Sequence, residues 1–236
     1  MNNVSMNDFI KSIIRTKFVT HLLTGILKFN LWRKWKVKKY LRNTQEPKLQ
    51  IGSGTNPLHD WLNTGVSVRE CWTGVYMDAG KPFSLPDDTF YYVFAEHLFE
   101  HLTYSQALNL LKESYRVLKP GGVIRLATPD LQFLLGLYQE PEKPLHKEYI
   151  EYSAKDGGIP ATPVFVINRF HIAWGHKIIY DKDTLAELLK LMGFKDICWC
   201  EVSQSTHPAL RNIEGHFKIL PAEFNRLETM VVEATK

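Results

Sequence analysis

A short apolar strand followed by a glycine turn constrains this chain more than any other stretch. Leu49 and Ile51 predict a buried strand, and Gly52-Ser53-Gly54 predicts a tight turn directly after it. Glycine accepts left-handed backbone angles, and its missing Cβ lets backbone N–H groups approach a ligand closely. In open α/β sheets, such a strand and turn build a ligand crevice at the carboxyl end of the first strand. The dinucleotide-binding fingerprint is incomplete, because Pro57 stands in place of its third glycine.

Strands alternate with helices after this turn, and that order predicts a mostly parallel sheet. We expect helices at about 105–118 and 183–192, and further strands at residues 61–66, 74–78, 89–95, 123–127, 196–202 and 227–233. The last two strands follow each other with no long helix between them, which predicts an antiparallel edge. The predicted fold is a Rossmann-like α/β domain over residues 47–236, with a sheet of about seven strands.

The first 46 residues differ from the rest of the chain in charge. Residues 1–43 carry ten Lys and Arg against Asp8 alone, whereas the whole chain has a net charge of +4, so the body is mildly acidic. The helical spacing of apolar residues predicts an amphipathic helical arm with tryptophans beside lysines. The arm either packs on the domain or contacts an anionic membrane surface or a substrate phosphate. Nucleic acid is not expected as a partner, because the sequence has no groove-reading motif.

The composition is that of a soluble globular protein, with 44% hydrophobic and 23% charged residues. No apolar run approaches the roughly 20 residues needed to span a bilayer, and no signal-peptide cleavage pattern is found near the amino terminus. Cys71, Cys198 and Cys200 form no paired framework, which favours a reducing compartment. We therefore predict a cytoplasmic protein. If the arm contacts an anionic membrane surface, the protein is expected to lie at the inner face of the membrane.

Residues 138–181 interrupt the alternating pattern with four prolines, Gly157-Gly158 and many aromatic side chains. Irregular chain of this length inside a compact domain is unusual unless it is functional or disordered. The density of aromatic side chains argues against disorder, because these can bury enough surface to hold the segment. We therefore expect an irregular, lid-like insertion that shapes the substrate pocket, with His171 and His176 above that pocket.

Four signatures then stand in a fixed order along the chain. They are Ile51 to Pro57, Tyr76-Met77-Asp78-Ala79, Ala95-Glu96-His97-Leu98-Phe99-Glu100-His101, and Leu118-Lys119-Pro120-Gly121-Gly122. In this order and spacing, the chain resembles the class I S-adenosylmethionine-dependent methyltransferases, and most closely their bacterial type 11-like branch. The resemblance covers residues 48–236 and leaves the arm as an addition. It implies an enzyme that uses S-adenosylmethionine as cofactor.

The resemblance also implies which residues bind the cofactor. The glycine turn would pass under its methionine end, Asp78 would accept a hydrogen bond from the adenine amine, and the Ala79 amide would contact the ring. The end of the fourth strand would lie near the sulfonium. The implied cofactor-binding residues are Ile51, Gly52, Ser53, Gly54, Asn56, Asp78, Ala79, Ala95 and Glu96.

The end of the second strand departs from the family. An acid usually stands there and binds both ribose hydroxyls, whereas this chain has Gly65. Asn63, Thr64 or Glu70 can supply the missing contact, or backbone and water can hold the ribose. A further alternative is a non-catalytic binding protein with the same fold. We expect a working methyltransferase whose acceptor is a small molecule or a glycan, such as a cell-surface or lipid-linked sugar.

Three histidines, His97, His101 and His176, are the predicted catalytic residues. Methyl transfer to oxygen or nitrogen needs proximity and a base to take the proton, and histidine suits that role near neutral pH. His97 to His101 also match the His-x-x-Glu-His pattern of a zinc peptidase family. A catalytic zinc site needs a third protein ligand, and the peptidase motif belongs inside a helix, whereas this one begins as a buried strand ends. We therefore predict no metal site.

Overall fold

A computed structural model describes residues 30–236 and contains a seven-stranded sheet in the order β3-β2-β1-β4-β5-β7-β6. The strands from β3 to β5 in this order pair in parallel, and β7 is antiparallel to both of its neighbours. The strands are β1 (Lys48–Ile51), β2 (Leu62–Gly65), β3 (Val75–Tyr76), β4 (Phe90–Glu96), β5 (Leu118–Pro129), β6 (Lys195–Cys200) and β7 (Thr229–Thr235). The predicted α/β fold, with a mostly parallel sheet of seven strands, is confirmed.

Eight α-helices accompany the sheet within residues 30–236. They are α1 (Asn30–Asn43), α2 (Val68–Thr73), α3 (Tyr104–Val117), α4 (Leu131–Gln139), α5 (Pro144–Gly157), α6 (Pro163–Ile172), α7 (Lys182–Leu191) and α8 (Ala222–Glu228). Single 3-10 turns stand at Phe99–His101, Pro208–Leu210 and His216–Lys218. The two helices predicted from apolar periodicity correspond to α3 and α7, whereas α2, α4, α5, α6 and α8 were not predicted.

The centre of the sheet is covered on both faces, which explains the continuous apolar run of β4. Phe90, Val93 and Phe94 are fully buried, although the side chains of Val93 and Phe94 point to opposite faces. Parallel strands buried in this way read as near-continuous hydrophobic sequence. Helix α3 ends at Val117, and the chain passes directly into β5, whose register with β4 holds from Tyr92↔Val123 to Glu96↔Ala127.

The antiparallel strand lies inside the sheet and not at its edge. Strand β7 pairs with β5 from Val123↔Thr235 to Pro129↔Thr229, and β6 then pairs with the other side of β7. The edge position therefore belongs to β6. Hydrophobicity accounts for the arrangement, since Met230, Val231 and Val232 are buried whereas much of β6 is partly exposed.

The segment 138–181 is helical, and its predicted irregularity was wrong. Pro144 and Pro163 each occupy the first turn of a helix, where a backbone N–H has no intrahelical partner and its absence in proline costs no hydrogen bond. Gly158, with a φ of 60°, ends α5 in the left-handed conformation. The chain enters and leaves this helical region at one place, because Asp130, before α4, bridges to Tyr180 beside the carboxyl end of β5.

Helix α1 packs on the domain, while residues 1–29 of the predicted arm lie outside the described part. Val37 is buried, and the Lys36 ammonium donates hydrogen bonds to the carbonyls of Cys71 (3.2 Å) and Gly74 (2.8 Å) at the end of α2. A cation at this position complements the helix dipole. Of the two interpretations of the arm, packing is therefore what the structure shows for residues 30–43.

Within residues 30–236, no helix combines the length and apolar character required to cross a membrane. Cys71, Cys198 and Cys200 are all free thiols.

Candidate active site

The carboxyl ends of five parallel strands meet along one edge of the sheet. Gly52 follows β1, Asp78 lies two residues beyond β3, and His97 follows β4. Pro129 ends β5 at the same edge. In open α/β sheets, ligands bind in the crevice outside the carboxyl ends of the strands. The glycine turn and the predicted catalytic motif therefore lie on the same side of the molecule.

The glycine turn keeps its backbone open to a ligand. Gly52 and Gly54 have φ values of +69° and +51°, in the left-handed region that glycine accepts without strain. A Cβ on Gly54 would meet nothing within 4 Å, whereas one on Gly52 would lie 3.0 Å from Leu98 Cδ2. Ser53 Oγ is buried and has no hydrogen-bond partner among the described residues. An open turn with an unsatisfied hydroxyl fits the polar methionine end of the cofactor.

The carboxylate of Glu70 fills the space that a side chain at position 65 would occupy. A Cβ on Gly65 would lie 2.2 Å from Glu70 Cδ and 2.3 Å from Oε1. Glu70 reaches this place from the first turn of α2, where it forms a capping box with Ser67. Its Oε1 accepts a hydrogen bond from the Gly54 amide (3.1 Å), and its Oε2 accepts one from the Ser67 amide (2.9 Å). An acid is therefore present at the end of β2, although it comes from α2.

Asp78 and Ala79 lie beyond the short strand β3. The Asp78 carboxylate accepts a hydrogen bond from the Gly80 amide at 3.0 Å, and its other oxygen lies 3.3 Å from Lys81 Nζ. Ala79 is buried, and its carbonyl accepts a hydrogen bond from Asn109 Nδ2 at 3.2 Å. The side chain of Asp78 is 30% exposed, so a ligand in the crevice can reach its carboxylate.

The side chains of Asn56 and Glu96, both predicted to bind the cofactor, bind a loop of the protein. Glu96 accepts hydrogen bonds from the amides of Gly215 (2.8 Å) and His216 (2.9 Å). Asn56 Oδ1 accepts one from Lys218 Nζ at 2.6 Å. These contacts hold the segment 213–218 across the ends of β1 and β4. The other two predicted residues of these strands, Ile51 and Ala95, are buried within the sheet.

A cavity of about 330 Å³ lies beyond the end of β4, beneath α5 and α6. Its polar lining includes His97, Glu100, His101, His176, His216 and Glu228. Its apolar wall includes aromatic side chains from the two helices and the loop that follows them, together with Ile219 and Leu220. The three histidines predicted to be catalytic therefore line a single cavity. His171, by contrast, is exposed on α6 and does not line it.

Glu100 stands at the centre of these three histidines and is completely buried. Its Oε1 lies 3.2 Å from His97 Nδ1, and 4.0 Å from both His101 Nε2 and His176 Nε2. Its Oε2 accepts a hydrogen bond from Thr128 Oγ1 at 3.0 Å. None of the contacts to Oε1 has the geometry of a hydrogen bond, so this oxygen is unsatisfied within residues 30–236.

His97 also belongs to a second group of polar side chains. Its ring stacks on His216, with the centroids 3.8 Å apart, and its Nε2 lies 3.2 Å from Thr229 Oγ1. His216 Nε2 lies 3.2 Å from Glu228 Oε1, and the Tyr149 hydroxyl donates a hydrogen bond to Glu228 Oε2 at 2.6 Å. The members of this second group therefore satisfy one another.

Burial and neighbouring charges shift the pKa values of the side chains in the cavity in different directions. Burial lowers the pKa of His97, but the facing carboxylates, Glu100 above all, outweigh it and raise the pKa overall. Burial raises the pKa of Glu100, but its contacts with His97 and the charge of His101 bring it below its usual value. The pKa of His176 is lowered, mainly because the ring is partly buried. The carboxylates around His97 therefore favour its charged form, whereas burial favours the neutral form of His176.

The sequence did not single out Glu100, His216 and Glu228 as site residues. Glu100 lies within the His-x-x-Glu-His pattern, which was its only signal, whereas His216 and Glu228 have no local motif. The peptidase alternative is not supported, because Phe99–His101 forms a single 3-10 turn after β4 and not the middle of a helix. Its two histidines also fall in different groups around Glu100 and Glu228.

Residues 67–126, from the start of α2 into β5, match the family model described as a methyltransferase domain, type 11. No curated protein matches the chain. Solved structures with a similar fold include an S-adenosylmethionine-dependent methyltransferase from Archaeoglobus fulgidus, 18% identical with a TM-score of 0.47, covering 96% of this chain and 99% of that chain. One from Mesorhizobium loti is 17% identical with a TM-score of 0.48, covering 84% and 96%.

A phosphoethanolamine N-methyltransferase from Haemonchus contortus is 14% identical with a TM-score of 0.45, covering 88% of this chain and 53% of that chain. Likenesses of this size carry no information on the acceptor. The family model, however, spans the helix that carries Glu70, the acid Asp78 and the histidine motif. Residues 67–126 thus match a methyltransferase domain, and the strand order is typical of the class I S-adenosylmethionine-dependent methyltransferases.

Proposed function

We propose that the chain transfers the methyl group of S-adenosylmethionine to a small polar acceptor, of which a sugar is the best candidate. The observation that carries this proposal is the cavity at the end of β4, where Glu100 and three histidines converge beside the glycine turn. When bound, the cofactor supplies a methyl group on a sulfonium. The chain itself has to bind the cofactor, hold the acceptor against it and exclude water.

The cofactor is held, in this proposal, along the carboxyl edge from β1 to β3. Ser53 Oγ, which has no hydrogen-bond partner among the described residues, and the turn at Gly54, where a Cβ would meet nothing within 4 Å, receive the methionine end. Glu70 accepts a hydrogen bond from the ribose in place of the acid that Gly65 cannot supply. Asp78 accepts a hydrogen bond from the adenine amine, as its position after β3 suggests.

The acceptor is held, in the same proposal, between the histidines and the aromatic wall of the cavity. Because burial favours the neutral form of His176, it can accept a hydrogen bond from a hydroxyl or an amine of the acceptor. Phe170 and Trp174 pack beside His176, with ring centroids 5.2 Å and 6.0 Å from the imidazole, and line the same cavity. A sugar presents apolar C–H faces to such rings and hydroxyls to the histidines, which favours a glycan acceptor.

Calorimetry with S-adenosylmethionine and S-adenosylhomocysteine is the first test of this proposal. We expect both to bind, and a panel of nucleotide sugars, free sugars and small amines to reveal a methylated product by mass spectrometry. The absence of binding at millimolar concentration would overturn the proposal and would favour a non-catalytic binding protein.

Replacing His176 by alanine is expected to lower kcat by about 100-fold, because catalytic proton handling by a positioned side chain typically contributes that much. The affinity for S-adenosylmethionine should stay within about twofold, since the ring lies in the cavity and not at the glycine turn. The measurements are steady-state kinetics and calorimetry. His171→Ala is the matched control, because that ring is exposed on α6, shortly before His176 in the chain, and its loss should leave both values unchanged. A parallel loss in both measurements would mean that the cavity does not hold the acceptor.

We further propose that the basic face of α1 brings the enzyme to an anionic membrane surface, where a lipid-linked sugar would be found. Lys34, Lys38 and Lys39 are exposed beside Trp35, whose side chain is 56% exposed. Replacing these lysines together by glutamine should weaken binding to vesicles containing phosphatidylglycerol by about 100-fold at low salt, since each basic residue contributes about 1 kcal/mol.

Vesicle sedimentation measures this effect. A variant with glutamine at Lys147, Lys155 and Lys195, which are exposed elsewhere on the domain, is the matched control and should bind as the wild type does. Equal binding by both triple variants would leave α1 with a packing role alone.

A further inference from the structure

The unsatisfied oxygen of Glu100 faces two imidazole nitrogens across a short gap. Glu100 Oε1, a nitrogen of His101 and a nitrogen of His176 all lie within 4.8 Å of one another. A point equidistant from three atoms at that largest separation lies about 2.8 Å from each, so each ligand atom has to move inward by about 0.6–0.8 Å to reach the roughly 2.0–2.2 Å of a zinc site. The rings meet edge to face, with their centroids 4.8 Å apart and an interplanar angle of 73°.

We propose that Glu100, His101 and His176 form a binding site for a divalent transition metal, with Zn²⁺ as the expected occupant. Two imidazoles and one carboxylate are the ligands of one class of catalytic zinc site, in which a fourth position remains open to water or substrate. Imidazole selects zinc, iron, nickel or copper over magnesium and calcium, which prefer oxygen ligands alone.

The surroundings of Glu100 support a built site. A fully buried carboxylate is costly unless its oxygens are paired or coordinate a metal. Thr128 Oγ1 donates a hydrogen bond to the other oxygen at 3.0 Å, and such an outer contact orients a ligating carboxylate. Oε1 is left without a hydrogen bond inside the described structure, although three imidazoles surround it. A cation among these groups would complete the coordination of this oxygen.

The second histidine group is a poorer candidate for a metal. His97, His216 and Glu228 also lie close together. The rings of His97 and His216, however, stack nearly parallel, at an interplanar angle of 24°. His216 and Glu228 are already 3.2 Å apart, and Tyr149 occupies the remaining Glu228 oxygen. These groups satisfy one another, so the second group serves as an internal control for the first.

The proposed site is open toward the cavity, where His101 is partly exposed. If the proposed methyltransferase function holds, an oxygen or nitrogen of the acceptor would occupy the open coordination position and would be held there for methylation. A Lewis-acidic metal also lowers the pKa of a bound hydroxyl. In the zinc-loaded protein, His101 and His176 therefore hold the acceptor through the ion, and this contact replaces the direct hydrogen bond from the acceptor to His176.

The experiment measures metal binding without cofactor or acceptor. The full chain, stripped with EDTA, is titrated with ZnCl₂ by calorimetry, and the zinc content of untreated protein is measured by mass spectrometry. We expect about one zinc per chain, and a loss of affinity in His101→Ala and His176→Ala of at least about 100-fold, since even outer contacts contribute about 10- to 100-fold. His216→Ala should bind zinc as the wild type does.

Two outcomes would overturn the proposal. The first is a wild type that binds zinc no better than His176→Ala, in which case His97 alone compensates the buried charge of Glu100. The second is a loss of zinc in His216→Ala with retention in His101→Ala. Circular dichroism verifies that each variant is folded, and the partly exposed His101 is the variant least able to disturb the core. Cofactor calorimetry on the same samples distinguishes failure of the metal site from failure of the methyltransferase proposal.

Discussion

Replacing Glu70 by alanine is expected to weaken binding of S-adenosylmethionine by about 10- to 100-fold. A hydrogen bond to a charged group contributes about 1.5–3 kcal/mol, and tenfold in affinity corresponds to about 1.4 kcal/mol. The Glu70 carboxylate has about four acceptor positions. The amides of Gly54, Val66 and Ser67 use three of them, which leaves one for a ribose hydroxyl. Calorimetry with S-adenosylmethionine measures the effect.

Moving the carboxylate from position 70 to position 65 tests this interpretation more directly. Because a side chain at position 65 would overlap the Glu70 carboxyl group, the two positions supply the same point in space. Gly65→Asp alone should displace Glu70 and weaken the first turn of α2. Gly65→Asp combined with Glu70→Ala should recover most of the lost affinity. A double variant no better than Glu70→Ala would show that the carboxylate only braces the backbone.

Two controls separate ribose binding from helix capping. Ser67→Ala removes the other half of the capping box, costs about 1 kcal/mol of stability, and should leave cofactor affinity nearly unchanged. A cofactor analogue without ribose hydroxyls should bind the wild type about 10- to 100-fold more weakly than the natural cofactor does. The Glu70→Ala variant should bind the analogue and the natural cofactor with equal affinity. If the analogue is discriminated equally by both proteins, Glu70 does not contact the ribose.

Replacing Arg125 by alanine is expected to destabilise the fold by about 3–5 kcal/mol, the usual cost of breaking a buried ion pair. Arg125 is fully buried in β5 between Glu214 and Glu233, which are also buried. Removal of the guanidinium would leave two carboxylates in the interior without their cation. For a domain of this size, 1 kcal/mol shifts Tm by about 2–4 °C, so thermal unfolding followed by circular dichroism should show a decrease of about 6–20 °C.

The triple variant Arg125→Met, Glu214→Gln, Glu233→Gln is the control for Arg125→Ala. Replacing a buried ion triad by neutral groups of similar size is often nearly neutral, so most of the lost stability should return. A Tm for Arg125→Ala within about 2 °C of the wild type would contradict this role. The triad also bears on the site, because Glu214 precedes the Gly215-His216 amides that Glu96 binds.

Local chemistry made several elements predictable. Apolar runs and glycine or proline signals placed most strands and the two amphipathic helices α3 and α7 to within a few residues, although β3 and β6 are shorter than expected and β5 begins already at Leu118. Helix α2 also had a signal, since Ser67-Val68-Arg69-Glu70 is the sequence of a capping box. The prolines and glycines of residues 138–181 were interpreted as irregular chain, whereas they stand at helix termini.

The sequence by itself determined the class of the protein, because the glycine turn, the acid after β3, the histidine motif and the alternation of strands are all local patterns in a fixed order. The position of Glu70 above Gly65, the burial of Glu100 among three histidines and the ion triad of Arg125 were decided only by tertiary structure. The last two groups include partners far apart in the chain, such as Glu100 and His176 or Arg125 and Glu233, whereas Glu70 is only five residues from Gly65. Only the sheet and the helices above it bring such side chains together, and no periodicity within a segment reports a contact between segments.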